Sequence, residues 1–143
     1  MTEALAGQGT LIEIGDGGDP ESFTTVAEVL DINGPALALD TEDATSQESP
    51  NSVEEVVPTI IRTGQVTFDV HFLPTDATQD PATGLVADLM NRQRRNFQVV
   101  WPDEGSDTWS FAAYVVGFQP GAPVAGKLTA SVALKIDGEP TFE

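Results

Sequence analysis

The clearest pattern along the chain is alternation of apolar and polar residues with period two. Val66, Phe68, Val70 and Phe72 alternate with Thr67, Asp69 and His71. Leu128, Ala130, Val132, Leu134 and Ile136 alternate in the same way with Lys127, Thr129, Ser131, Ala133 and Lys135. Successive side chains of a strand point to opposite faces, so each stretch predicts a half-buried strand of an antiparallel sheet. Phe97 to Trp101 and Trp109 to Phe118 read as a strand pair joined by the turn segment Pro102 to Asp107. The second of these is apolar on both faces. Trp109, Phe111, Ala113 and Val115 form one face, and Ala112, Tyr114, Val116 and Phe118 the other. Either the domain covers both faces, or one of them meets a partner chain.

Upstream, Thr10 to Ile14 and Phe23 to Ile32 read as two strands joined through Gly15 to Pro20, and Ala36 to Asp40 resumes after the turn Asn33-Gly34-Pro35. One helix is predicted over 80–95. Asp80 is its N-cap and Pro81 its first residue, Leu85, Val86, Leu89 and Met90 make its apolar stripe, and Arg92, Arg94 and Arg95 close it where the macrodipole favours cations. Residues 41–60 show no period, carry five acids and no base, and are rich in Ser, Thr and Pro. They are expected to form a long mobile loop, either functional or ordered only against a partner. The fold class implied is mainly β: an antiparallel β-sandwich or barrel with one packed α-helix and that loop.

Size changes the picture little, because 143 residues with 40% hydrophobic content suit one domain. Charge changes it more. The net charge is -17, and residues 1–61 hold 13 acids and no base, whereas the rest holds ten acids and six bases. Such a surface repels phosphate, which argues against a nucleic-acid binder that neutralises backbone charge and against docking on an anionic membrane. Of ten aromatic residues only Phe23 precedes residue 66, so the first half is expected to depend on the second for burial. There is no cysteine, and no apolar run approaches the roughly 20 residues of a membrane span. The N-terminal residues MTEALAGQGT lack the basic and apolar regions of a secretory signal.

Catalytic constellations do not emerge. The single histidine, His71, stands on the polar face of a strand with no G-x-S-x-G elbow in the chain, and reads as a solvated or interface residue. Asp16, Asp19 and Glu21 do not match calcium-loop spacing and read as turn formers, and the glycines fit no phosphate-binding pattern. No catalytic, cofactor-binding or metal-ligating residue is assigned, and no cofactor. The arginine cluster has three readings: phosphate contact, helix capping with an Asp88 to Arg92 pair, or head-to-tail association with copies of the same chain. The last suits the partition of charge. It makes Glu42, Asp43, Glu48, Glu54 and Glu55, with Arg62, Arg92, Arg94 and Arg95, the candidate subunit-interface residues.

Taken in order, these segments resemble a known family. The carriers are the N-terminal strand and glycine turn, Val26 to Pro35, the acidic loop Asp40 to Ser49, the strand Gly64 to Phe72, and the helix ending in arginines. Phe97 to Gly105, Phe111 to Phe118, Lys127 to Ile136 and the ending Asp137 to Pro140 complete the series. The chain is similar to the major tail tube protein of long non-contractile-tailed bacteriophages over nearly its whole length. The resemblance implies a single tail tube domain over 1–143, with an N-terminal arm over 1–9 and without the C-terminal immunoglobulin-like domain that some members carry. It implies a structural virion protein rather than an enzyme, made in the host cytoplasm and built into the tail. Hexameric rings would stack into a tube around the tape measure protein, meet tail terminator and tail tip proteins, and let double-stranded DNA pass without sequence-specific binding. An anionic wall suits that passage, because it offers DNA no lattice of cations to adhere to. The alternatives are a tube subunit of a gene transfer agent or contractile tail, or a small β-sandwich binding module.

Overall fold

The computed structural model describes residues 3–18 and 20–143, so Asp19 of the glycine turn and the first two residues of the N-terminal arm lie outside the described residues. Seven strands make a continuous antiparallel path. Leu11–Gly15 (β1) has Phe23–Thr25 (β2) on one side and Arg95–Val100 (β7) on the other, followed by Thr108–Gly121 (β8), Thr129–Ile136 (β9), Gln65–His71 (β6) and Val29–Asn33 (β3). Ala38–Asp43 (β4) and Val56–Arg62 (β5) pair only with each other, and Thr141–Phe142 (β10) adds to β8.

The path ends at β2 on one edge and β3 on the other, yet only residues 26–28 separate these strands in the chain. In a flat sheet seven strands wide the edges would stand about 29 Å apart, whereas the four Cα steps from Thr25 to Val29 span at most about 14 Å. The sheet therefore curls until its edges nearly meet, and one core fills the enclosed space. The inward positions are those that alternation selects. Val66, Phe68 and Val70 on β6 and Ala130, Val132, Leu134 and Ile136 on β9 are buried, as are Phe97, Val99, Phe111, Ala113 and Val115 on β7 and β8. Burying one such side chain contributes about 1.5–3 kcal/mol. The dependence of the first half on the second is visible in pairing: β1 finds its partner in β7 and β3 in β6, and Ile12, Ile14 and Val26 join the same core.

Several elements depart from the sequence reading. The strand expected over 23–32 is two strands, because Val26 turns inward, its N–H donating to the Ile12 carbonyl (2.9 Å), and Glu28 takes a positive φ. The helix expected over 80–95 is Leu85–Met90 (α1) alone. Asp80 does cap, but it caps a turn: its Oδ1 accepts the N–H groups of Thr83 (2.8 Å) and Gly84 (3.0 Å), which holds its carboxyl below the usual range. Gly84 is extended before the helix starts, and Arg92, at φ +53°, turns the chain away after it ends. Phe118 does not share a face with Tyr114 and Val116. A bulge between Val115 and Gly117 shifts it to the inner face opposite Val132, where it meets Phe72 edge-on with centroids 5.6 Å apart. Residues 41–60, expected to form a loop, contribute instead to both strands of the β4–β5 hairpin. The segment Val56 to Ile61, β-branched at every position except Pro58, supplies one strand, so the stretch outside the strands shrinks to residues 44–55 with a 3-10 turn at Pro50–Ser52.

Candidate assembly interface

The β4–β5 hairpin is an outgrowth of the curled sheet. Asn33 lies opposite Thr67 and, five residues on, Ala38 lies opposite Arg62, so β3–β6 and β4–β5 share one register and form a single ribbon with a kink. The kink is made by Gly34 and Gly64, both at positive φ. A Cβ on Gly34 would lie 2.6 Å from the Gln65 carbonyl oxygen, and one on Gly64 would collide with that of Ala36. The two strands thus leave the body where their backbones pass too closely for side chains.

Beyond the kink the ribbon has no core beneath it. Every residue of β5 is exposed, and in β4 only Asp40 is partly covered. Leu39, Val56, Val57, Ile60 and Ile61 are all exposed, Ile61 at 71%. An isolated two-stranded hairpin is marginal in water, and both outer edges of this one present unpaired backbone groups. What order it has is local and polar. The Ala44 N–H donates to the Glu55 carbonyl (2.8 Å), and the Glu55 N–H donates to the Thr45 hydroxyl (2.8 Å). Asp43 accepts hydrogen bonds from Thr45, which hold its carboxyl below the usual range. At the root, Leu37, Leu39 and Ile61 face Pro140 and Phe142 across an open apolar groove of about 470 Å³. Phe142 stacks edge-on upon Trp109, with centroids 4.8 Å apart.

All five acids expected at an interface lie on this arm. Glu42 and Asp43 are on β4, Glu48 is in the connecting turn, and Glu54 and Glu55 precede β5, each of them exposed. Arg62 is at the root, with its Nε 2.8 Å from Asp40 Oδ2. The three later arginines do not act as one cluster. Arg92 is exposed on the turn after α1, and Arg94 reaches Asp137 at 2.8 Å. Arg95 belongs to β7 and pairs inward with Asp88 at 3.0 Å, so the expected Asp88 to Arg92 pair gives way to this one. Asp88 is 2% exposed with one carboxylate oxygen unpartnered. Burial raises its pKa, and the Arg95 guanidinium opposes that shift. Arg95 is therefore a fastener between α1 and β7 rather than a surface cation. Among the described residues, no ion pair joins the arm's acids to Arg92, Arg94 or Arg95.

One anchoring residue was not legible in the sequence. Gln79 is fully buried, accepts the Leu73 N–H at 3.0 Å, and donates to the carbonyls of Ala27 (3.0 Å) and His71 (3.2 Å). It ties the connection between the sheet's two edges to the end of β6. No local pattern marks a glutamine for this place. His71 lies at the end of β6, its N–H bonded to the Glu28 carbonyl at 3.0 Å. Among the described residues, no group of three or more His, Asp or Glu side chains is arranged to hold a metal ion.

The most distinctive surface feature of this molecule is thus an apolar, acidic arm with no buried side chain among its strand residues. The same architecture occurs in solved structures. A chain from the virion of a native gene transfer agent particle superposes with a TM-score of 0.77 at 20% identity, covering 98% of this chain and 99% of that one. The SPP1 tail tube gives 0.71 at 12% identity over 97% and 78%. The sheath-tube complex of an extracellular contractile injection system gives 0.69 at 10% identity over 100% and 93%. No curated protein sequence matches the chain. The family model described as lambda phage tail tube protein, TTP, matches residues 9–143. The chain accordingly belongs to the lambda phage tail tube protein family, structural subunits of the virion tail.

Proposed function

We propose that six copies of the chain form a ring, that rings stack into a tube, and that the β4–β5 arm is the part of each subunit that reaches onto a neighbour. The observation that carries this reading is the arm itself. Five aliphatic side chains lie exposed on a ribbon that pairs with no other strand among the described residues, and a second copy would remove them from water. At about 25 cal/mol per Å² of apolar surface, a few hundred Å² buried per subunit contributes several kcal/mol gross to each contact, to be set against the entropy lost on association. The solved tail of an empty gene transfer agent particle has C6 symmetry, which supports a sixfold ring here. Glu42, Asp43, Glu48, Glu54 and Glu55 would then face cationic neighbours, with Arg92 the arginine of the helix turn that has no carboxylate partner within the described residues. The lumen would hold the tape measure protein and later pass double-stranded DNA, which a chain of net charge -17 would not retain. Terminator and tip proteins would close the two ends, and assembly would take place in the host cytoplasm.

Electron microscopy of concentrated protein tests this. Tubes with a regular ring repeat and sixfold end views are expected. A chain that stays monomeric at every concentration and ionic strength contradicts the reading.

A further inference from the structure

We propose that the groove at the root of the arm is the seat for the turn between β8 and β9 of a second copy, stacked end to end with the first, a contact that rests on the tube reading above. The groove is open and about 470 Å³ in volume, with Leu37, Leu39 and Ile61 facing Pro140 and Phe142. Leu37, Leu39, Ile61 and Phe142 are all exposed. The wall that Phe142 makes is held in place. Its ring leans edge-on against Trp109, the Glu143 N–H donates to the Thr108 carbonyl at 2.9 Å, and the Thr108 N–H donates back to the Glu143 carbonyl at 3.0 Å. The groove is therefore a standing apolar concavity that an incoming segment need not open. Among its lining residues Glu139 carries the single charge, and it is exposed and in no ion pair among the described residues.

The turn over residues 122–128 is the complementary element. It reads Ala-Pro-Val-Ala-Gly-Lys-Leu, every residue is exposed, and Val124 stands wholly in solvent. Pro123 fixes one backbone angle, and Gly126 passes so near it that a Cβ there would lie 3.0 Å from the Pro123 Cγ. The turn is thus a compact apolar knob that gives up little freedom on docking. Its one charge, Lys127, is in no ion pair among the described residues and is opposite in sign to Glu139. The tip of the arm is the poorer occupant, because it would bring Glu48, Glu54 and Glu55 against Glu139. A chain cannot seat its own turn. Thr129 and His71 stand at the turn's end of the sheet, Lys135 and Gln65 stand next to the arm root, and the six steps from Thr129 to Lys135 span about 20 Å. Knob and groove occupy opposite ends of the same strands, so the contact is heterologous and repeats from copy to copy along the strand direction. It leaves the sides of the sheet to neighbours within a ring, and it therefore serves the stacking of rings.

The chain has no cysteine, so a pair introduced as Leu37→Cys with Val124→Cys is unique. Both positions are exposed. Assembled protein treated with a short bis-maleimide is expected to give a ladder of linked species that runs past six copies, because each link passes from one ring to the next. Neither single variant should link alone, and an equal mixture of the two should stop at dimers. Val124→Asp should leave the urea midpoint of the monomer unchanged, since the side chain is already in water, and should raise the concentration needed for tubes several-fold. Lys127→Glu should raise it as well, and adding Glu139→Lys should restore it. Normal tubes from the double-cysteine variant without linkage, or a ladder that stops at six copies, overturn the stacking contact and leave the tube reading standing. A Val124→Asp chain that forms tubes at the unmodified concentration does the same. Failure of Glu139→Lys to rescue Lys127→Glu overturns the charge pairing. Absence of rings and tubes from the unmodified chain overturns the tube reading and this contact together.

Discussion

β5 and β6 are both seven residues long and follow one another in the chain, yet they have opposite fates. β6 holds three large apolar residues, Val66, Phe68 and Val70, and all three are buried because every second position is polar and faces outward. β5 is the more apolar of the two, with Val56, Val57, Ile60 and Ile61 in seven residues, and none of it is buried. Hydrophobic content does not decide burial within a chain; a second layer does. A strand written for its own core alternates, and one written for a neighbour's surface has apolar residues on both faces with nothing of its own beneath them.

That contrast can be broken most severely from the body side. Phe97 is fully buried and stacks on Phe111 with centroids 6.3 Å apart. Phe97→Ala should cost about 3–5 kcal/mol through lost transfer energy and the cavity left behind, read from urea denaturation of the monomer. The next effect lies at the junction of body and arm. Gly34→Ala puts a Cβ against the Gln65 carbonyl at a backbone angle that L-residues rarely adopt. It should destabilise by about 1–3 kcal/mol and shift the amide signals of Asn33, Ala36 and Gln65 rather than those of the core.

A smaller effect sharpens the account of Arg95 as a fastener. Burial raises the pKa of Asp88, so the folded state holds that proton more tightly than the unfolded chain does. The stability contribution of this carboxyl is then least favourable at neutral pH and improves as pH falls toward the ordinary carboxylate range. The stability of the wild type relative to Asp88→Asn should therefore increase on acidification from pH 7 toward pH 4, followed by urea midpoints at each pH. A difference that is flat with pH would detach Asp88 from the burial assigned to it. The smallest effect on the monomer belongs to the arm. Ile61→Asp should change unfolding free energy by no more than about 0.5 kcal/mol, because the side chain is already in water, and should still abolish tubes seen by microscopy.

The body was largely legible because its information is local and periodic. β6, β9 and the β7–β8 pair follow from alternation alone, and the turn between the latter closes through Asp103 accepting the Asp107 N–H at 2.8 Å. The parts that were not legible depend on contacts distant in sequence or on single backbone angles. Nothing local shows that Val26 dives beneath Ile12, that a bulge at Val115 to Gly117 reverses the facing of Phe118, or that Gln79 is enclosed. The helix is shorter than its sequence signals suggest because the capping residue Asp80 serves a turn instead. The arm shows no strand signal in the sequence because a ribbon exposed on both faces imposes no period. The partition of charge singles out the arm's acids as candidates, and it also groups Arg95 with Arg92 and Arg94, although Arg95 pairs inward with Asp88.

The central claim is that the β4–β5 arm is solvent-exposed in the free chain and covered in the assembled one. Amide hydrogen exchange of residues 56–62, compared between monomer and tube, tests it most directly. Rapid exchange in the monomer with strong protection in the tube is the predicted result, while β6 stays protected in both. Exchange that is equally rapid in the tube would contradict the assignment of the arm to assembly.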